Sequence, residues 1–229
     1  MLKISNNLAN VRSRIQLACK KCHRNPNEVT LLAVSKKKTS EDIEHAFLAG
    51  QRAFGESYLQ EALKKQQDLN ALAIDWHFIG PIQSNKTRDI STHFNWVHSV
   101  DRPKIAQRLN DQRPENLPPL NVFIQVNLDN EASKSGCTLD QLESLAHQMS
   151  QLPNLQLRGL MSIPQKQKTK EEQQASFERL AQLQNQLQKT LNINTMNQLS
   201  IGMSSDLEAA ITAGSTLVRI GTDIFGQRP

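Results

Sequence analysis

The side chain in this sequence best suited to covalent chemistry is the amine of Lys36. It follows the apolar run Thr30–Val34, and only Ser35 separates the two. A lysine amine can form a Schiff base with a carbonyl group. Ligands of parallel α/β folds bind at the carboxyl ends of strands. The competing interpretation is that Lys36 and the two lysines after it form a solvated basic loop.

Two later segments have the composition of phosphate-binding loops. Gly202, Met203 and Ser204 precede a predicted helix, whose N-terminal N–H groups and dipole favour anions. Gly221 and Thr222 offer a close backbone approach and a hydroxyl group. Each segment could also be an ordinary turn or helix cap. Barrels often bind a phosphate after their seventh and eighth strands, and these segments have that position in the chain.

Arg219 is a charged residue within the apolar segment 217–221. Inward positions of parallel barrel strands are normally apolar, so a charge there needs a ligand or a buried salt bridge. The amine, the arginine and the two loops together suggest pyridoxal 5′-phosphate, with Lys36 in a Schiff base and Arg219 at the pyridine nitrogen. An arginine cannot take the proton of that nitrogen, which argues against transaminase-like chemistry.

The elements that must position these residues alternate between strands and helices. An amphipathic helix is predicted over 2–23. Strands are predicted at 30–35, 52–55, 74–79, 95–100, 120–127, 155–163, 198–203 and 217–221. The helices between them include 103–110, 139–152, 168–190 and 206–213. This alternation implies parallel strands with right-handed crossovers. Eight such units favour one α/β domain over residues 1–229, a closed (β/α)8 barrel, with an open doubly wound sheet as the alternative.

The composition restricts the class of partner. The chain has 229 residues, of which 38% are hydrophobic, and this is enough for a globular core. It contains no apolar run of membrane-spanning length and no signal-type N-terminus, so we expect a cytoplasmic protein. A net charge of +5 with only 4% aromatic residues favours small anions over nucleic acid. The string Cys19–His23 matches a haem-attachment pattern, but its cysteines follow the apolar stripe of the first helix and are interpreted as core.

Several long strings of the sequence resemble the YggS/PROSC family of pyridoxal phosphate homeostasis proteins. They include Leu31–Lys36, Phe54–Glu61, Trp76–Lys86, Leu199–Ser204 and Val218–Gly226. The resemblance implies a barrel like that of alanine racemase, cofactor attachment at Lys36, and a role in vitamin B6 and amino-acid homeostasis. We also expect cofactor contacts from Ser200, His77 and Ser57. Ser57 stands where the family usually has asparagine.

Three functions remain open from the sequence. The leading hypothesis is a monomeric, non-catalytic carrier that passes pyridoxal 5′-phosphate to apo-enzymes. The alternative is a low-activity racemase, which needs an acid–base group on each face of the cofactor. Tyr58 is the only tyrosine, so His77 or a water would be the second base. The third is a barrel enzyme without this cofactor, in which Lys36 reacts with a sugar. Lys134 is either a second amine for exchange or a solvated loop lysine.

Overall fold

A closed barrel of parallel strands forms the centre of the protein. The computed structural model describes residues 2–129, 135–164 and 169–227. Within these ranges the strands are β1 (Thr30–Val34), β2 (Ala53–Glu56), β3 (Asp75–Phe78), β4 (Trp96–Val100), β5 (Leu120–Gln125), β6 (Leu155–Met161), β7 (Gln198–Ser200) and β8 (Leu217–Ile220). Each strand pairs in parallel with the next, and β8 pairs with β1. The predicted (β/α)8 barrel is therefore confirmed.

Helices cover the outside of the barrel. In the described part of the chain they are α1 (Leu2–Lys21), α2 (Ser40–Leu48), α3 (Leu59–Asp68), α4 (Thr87–His93), α5 (Pro103–Asp111), α6 (Leu139–Ser150), α7 (Lys170–Leu191), α8 (Leu207–Thr212) and α9 (Thr222–Phe225). Short 3-10 helices occupy Pro26–Glu28 and Ser84–Lys86. None of the helices in these ranges is long and apolar enough to cross a membrane.

Most of the predicted strand bounds lie within two residues of the observed ones. The largest difference is at β7, which was predicted to reach residue 203 but ends at Ser200. Gly202 has a φ of +94°, so the chain leaves the extended conformation there. The four-residue helix α9 was not predicted, because an element of one turn has too few residues to show a helical period.

The strands of the barrel separate two apolar clusters. Successive strand residues face opposite sides of a sheet. Leu31 and Ala33 of β1 therefore pack outward against the helices, whereas Leu32 joins an interior cluster. The other buried members of that interior cluster are Ala53, Phe123, Met161 and Leu217. The same alternation, continued beyond the end of β1, directs Lys36 towards the barrel axis.

Gly159 marks a close approach between β6 and β7. Its φ is +152°, and a Cβ atom at this position would lie 1.7 Å from the carbonyl oxygen of Gln198. The same Cβ would lie 2.6 Å from Oε1 of Gln184, which accepts the N–H of Leu160. The register of β6 and β7 therefore depends on the absence of a side chain at residue 159.

We expect Gly159→Ala to lower the free energy of unfolding by about 3 kcal/mol or more, measured by urea titration, because the two strands must separate. Gly214→Ala is the matched control. Gly214 also has a positive φ, +100°, but a Cβ there would meet nothing within 4 Å. The control should lose only the backbone cost of about 1–2 kcal/mol. Equal losses in the two variants would contradict the close-approach argument.

Candidate functional site

A cavity of about 500 Å³ opens at the carboxyl ends of β1 and β8 and beside the loop that follows β7. Its volume is within the usual range for a small-molecule site. Val34, Ile79, Met161 and Ile163 give the cavity an apolar part. Six of the nine predicted cofactor contacts line it. They are Lys36, Met203, Ser204, Arg219, Gly221 and Thr222. The barrel thus brings together an amine, a guanidinium group and both predicted loops.

The other three predicted contacts lie outside this lining. Ser57 lines a second cavity of about 610 Å³, which shares Lys36 with the first. Ser200 and His77 are buried. Ser200 is hydrogen-bonded to Arg219 and His98, and His77 is hydrogen-bonded to His98 and Asp75. A cofactor contact at any of the nine residues stays a prediction. Lys134 lies outside the described residues.

Arg219 is held by backbone and hydroxyl oxygens. Its Nη1 donates to the carbonyl oxygen of Ser200 at 2.6 Å and to Oγ of the same residue at 2.8 Å. Its Nη2 donates to the carbonyl oxygen of Ser162 at 2.9 Å. No carboxylate in the described ranges forms a salt bridge with it. Burial lowers the pKa of Arg219 to about 10, against the opposing charge of Asp206. Arg219 therefore remains a cation at neutral pH.

The loop after β7 leads into helix α8, which begins at Leu207, one residue after its predicted start. One N–H group of the loop is already used, because Oδ1 of Asp206 accepts the N–H of Met203. Burial raises the pKa of the Asp206 carboxyl, and the hydrogen bond from Met203 opposes that rise. Among the described residues, no acceptor engages the N–H groups of Ser204 and Ser205. The loop therefore offers two backbone donors for an anion, with a carboxylate beside them.

Arg14 of α1 fixes both loops from outside the barrel. Its guanidinium donates to the carbonyl oxygen of Ser204 at 3.0 Å. It also pairs with Glu208 at 2.8 Å and with Asp223 at 2.5 Å. Because Asp223 lines the cavity, this pairing compensates a negative charge beside the two loops. The sequence analysis missed Arg14, since its partners lie at the other end of the chain.

A buried ion pair supports the backbone that carries Lys36. Lys65 donates to Oε1 of Glu56 at 2.8 Å and to the carbonyl oxygen of Ser35 at 2.8 Å. Oγ of Ser35 donates to the same Glu56 oxygen at 2.6 Å. Burial raises the pKa of Glu56, while Lys65 and Ser35 oppose that rise. The residue immediately before Lys36 is therefore bonded through both its side chain and its carbonyl group.

Glu61 completes this cluster from the first turn of α3. Its Oε1 accepts from Lys65 at 2.5 Å and from the backbone N–H of Lys37 at 2.6 Å. The residue immediately after Lys36 is thereby fixed as well. The sequence analysis did not single out Lys65. The available signal was its spacing, because Leu59, Ala62 and Lys65 share the buried face of α3.

Two histidines meet inside the barrel. Nδ1 of His77 lies 2.9 Å from Nε2 of His98, and Nδ1 of His98 lies 2.9 Å from Oγ of Ser200. Burial lowers the pKa of both rings. The pKa of His98 is well below its ordinary value, because His77 and the charge of Arg219 act in the same direction as burial. Both imidazoles are therefore neutral at neutral pH. Sequence reasoning did not single out His98.

Comparison with protein families identifies the class of this barrel. The family described as "Alanine racemase, N-terminal domain" matches residues 6–229, and the chain belongs to that family. A pyridoxal phosphate homeostasis protein of Pseudomonas aeruginosa is 56% identical over 229 residues, covering 100% of this chain and 97% of the relative. The resemblance to the pyridoxal phosphate homeostasis proteins is confirmed by this full-length similarity.

Solved structures agree with this assignment. PipY of Synechococcus elongatus PCC7942, solved with pyridoxal phosphate bound, is 36% identical to this chain with a TM-score of 0.86. The similarity covers 98% of this chain and 100% of PipY. Alanine racemase of Corynebacterium glutamicum has a TM-score of 0.70 at 15% identity, covering 98% of this chain and 61% of the racemase. The last similarity concerns the fold alone.

We expect Lys65→Met to lower the free energy of unfolding by about 3–5 kcal/mol, because it leaves the carboxylate of Glu56 buried without its cation. The double variant Lys65→Met/Glu56→Leu removes both charges and should recover much of this loss. Urea titration at neutral pH measures both effects. A double variant no more stable than Lys65→Met would show that packing, rather than the unpaired charge, accounts for the loss.

Lowering the pH below about 6.5 should destabilise the protein through the two buried histidines. Their folded-state pKa values are lowered, so in this window the unfolded chain binds protons that the folded protein does not. The loss is at most about 1.4 kcal/mol per pH unit for each histidine. Glu56 acts in the opposite direction. Because its folded-state pKa is raised, its contribution to the free energy of unfolding falls as the pH rises above the ordinary pKa of a glutamate.

Comparison with His98→Gln isolates the histidine effect, because Glu56 is present in both proteins. The stability difference between wild type and variant should narrow as the pH falls from 7 to 5.5, since only the wild type contains the second buried imidazole. Urea midpoints at several pH values measure this difference. Parallel pH profiles would contradict the assignment.

Proposed function

We propose that this protein binds pyridoxal 5′-phosphate reversibly through a Schiff base with Lys36 and acts as its carrier in vitamin B6 and amino-acid homeostasis. The observation that carries the proposal is the single cavity shared by Lys36, Arg219, Ser204 and Thr222. The bound cofactor of PipY and the name of the Pseudomonas aeruginosa relative, a pyridoxal phosphate homeostasis protein, support it.

The donors of the cavity fit this cofactor. When bound, pyridoxal phosphate supplies an aldehyde that condenses with amines and a ring that accepts electron density. Lys36 would hold the aldehyde. The N–H groups of Ser204 and Ser205 and the hydroxyl of Thr222 would hold the phosphate. Gly221 allows the last strand to lie close to β1, since a Cβ there would be 3.2 Å from the carbonyl oxygen of Val34.

Arg219 would face the pyridine nitrogen. A guanidinium group only donates hydrogen bonds, and it keeps its proton at neutral pH. It can therefore orient the ring, but it cannot transfer a proton to the ring nitrogen as the carboxylic acid of an aspartate could. With an unprotonated nitrogen, the ring is a weaker electron sink and stabilises a carbanion less. This property suits a carrier better than an enzyme that works through carbanions.

We propose further that the protein has no racemase activity of its own. Racemisation needs an acid–base group on each side of the reacting carbon. His77, the second base expected for the racemase alternative, is only 1% exposed and lies against His98 and Asp75. Tyr58 is half exposed and lines the adjoining cavity rather than the one with Arg219. These positions favour the carrier over the enzyme.

The proposal includes a cytoplasmic, monomeric protein of one domain, residues 1–229, with apo-enzymes that use this cofactor as its acceptors. The three cysteines are free, which is usual for reducing compartments. A closed barrel also leaves no strand edge for pairing with another chain. The open cavity, with Met203 38% exposed, allows release of a bound ligand.

We expect Lys36→Ala to lose the visible absorption band that appears when the purified protein is mixed with pyridoxal 5′-phosphate, because Lys36 is the only lysine among the described residues that line the cavity. The matched control is Lys37→Asn. Lys37 is the exposed neighbour with a φ of +61°, and asparagine tolerates this conformation while removing the amine. An unchanged band in Lys36→Ala, or its loss in both variants, would contradict the assignment.

The loaded wild-type protein, incubated with L-alanine in deuterium oxide, separates the carrier from the racemase alternative. We expect exchange of the α-proton no faster than with the free cofactor, because His77 and Tyr58, the two candidate second bases, do not line this cavity. Mass spectrometry of the recovered alanine measures the exchange. Exchange well above that of the free cofactor, lost in Lys36→Ala, would favour the racemase.

A further inference from the structure

A continuous series of hydrogen bonds crosses the barrel interior from Asp75 to Arg219. Nε2 of His77 lies 3.3 Å from Oδ2 of Asp75, and Nδ1 of His77 lies 2.9 Å from Nε2 of His98. Nδ1 of His98 lies 2.9 Å from Oγ of Ser200, which Nη1 of Arg219 approaches at 2.8 Å. The Asp75 side chain, at the start of β3, is 43% exposed. The other end of the series lines the cavity.

The chemistry of the two ends determines the direction of every bond. A guanidinium group only donates, so Oγ of Ser200 accepts from Arg219. A carboxylate only accepts, so Nε2 of His77 donates to Asp75. A neutral imidazole has one donor and one acceptor nitrogen. Nδ1 of His77 therefore accepts from Nε2 of His98. Nδ1 of His98, in turn, accepts from the hydroxyl of Ser200.

The surroundings of the two imidazoles prevent the hydrogen bonds from reversing their direction. His77 is stacked on Trp96 at an interplanar angle of 4°, and the ring of His98 lies 4.6 Å from that of Phe123. All four ring nitrogens have a protein partner, and both residues are at most 1% exposed. Reversing any one bond would place two donors or two acceptors against each other in a buried site, which is costly.

We propose that this series, from Asp75 to Ser200, positions Arg219 by orienting its guanidinium group towards the cavity. The inference rests on the proposed function, in which Arg219 faces the pyridine nitrogen. Three of the five N–H groups of Arg219 are used on Ser200 and Ser162. No residue in the described part of the chain accepts from the remaining two, and these could bind a ligand. The direction of the series keeps a lone pair of the Ser200 hydroxyl aimed at Arg219.

The exposed carboxylate strengthens the buried end of the series. Each donor in a hydrogen-bonded series polarises the next acceptor. Asp75 therefore makes His77 a better acceptor for His98, and the effect continues to the oxygen that accepts from Arg219. A substitution near the solvent end of β3 should thus be felt in the cavity, although Asp75 does not line it.

The first experiment tests the series in the protein without added cofactor. Nitrogen-15 spectra of histidine-labelled protein report which ring nitrogen carries the proton, and His77→Gln and His98→Gln assign the signals. We expect both rings to be neutral and protonated at Nε2 alone. A proton on Nδ1 of either ring, or a mixture of tautomers, would overturn the proposed direction.

The second experiment tests the effect on the cavity. Ser200→Ala should weaken binding of pyridoxal 5′-phosphate about tenfold and shift its bound absorption maximum, because Arg219 loses one anchoring acceptor. Asp75→Leu should weaken binding about threefold and give mixed tautomers at His98. Asp75→Asn retains an acceptor oxygen and should restore both properties. His147→Gln, at an exposed residue of α6, should leave them unchanged.

If Ser200→Ala proves unstable, the two variants at the half-exposed Asp75 test the inference instead. Wild-type affinity and absorption maximum in Asp75→Leu, together with unchanged tautomers, would overturn the inference. Loss of binding in every variant, including His147→Gln, would contradict it too. If the wild-type protein does not bind pyridoxal 5′-phosphate, the proposed function fails, whereas the spectra of the cofactor-free protein still establish or reject the hydrogen-bonded series.

Discussion

The burial of a permanent positive charge inside a closed barrel is the constraint around which this site is arranged. Removing a guanidinium group from water is costly unless other groups replace its hydration. Arg219 obtains these replacements from two carbonyl oxygens and a hydroxyl at the ends of β6 and β7. The polar residues that occupy the middle of the barrel follow from this requirement. They include the two histidines, which an apolar barrel core would not contain.

The strand order and the main cavity residues could be predicted from the sequence because they depend on local patterns. Eight short apolar runs that alternate with predicted helices indicate a parallel barrel. In such a barrel the chain order alone brings the ends of β1, β7 and β8 together. Lys36 and Arg219 could be identified since each is a charge next to or within an apolar run. The loop residues of the cavity could then be identified because they follow the seventh and eighth predicted strands.

The supporting residues could not be predicted in the same way. Arg14 lies among other polar residues of α1, and only the folded chain shows that it contacts Glu208 and Asp223. His98 lies two positions after the apolar Trp96 in β4, where a core residue of the same face would lie, so its position in the sequence does not reveal its partner. In the loop after β7, the side chain of Asp206 accepts the N–H of Met203, a contact that the sequence does not indicate. Such side-chain contacts depend on distances in the folded protein and leave no periodic pattern in the sequence.

The contact of Arg14 with Ser204 joins residues 190 positions apart, and its contact with Asp223 joins residues 209 apart. During synthesis the N-terminus emerges first, so α1 is complete long before the loops that it stabilises exist. The last strand to be made, β8, must also pair with the first, β1. Contacts of such sequence separation slow folding. The cavity is therefore assembled late, and a nascent or truncated chain lacking β8 has no Arg219 to line it.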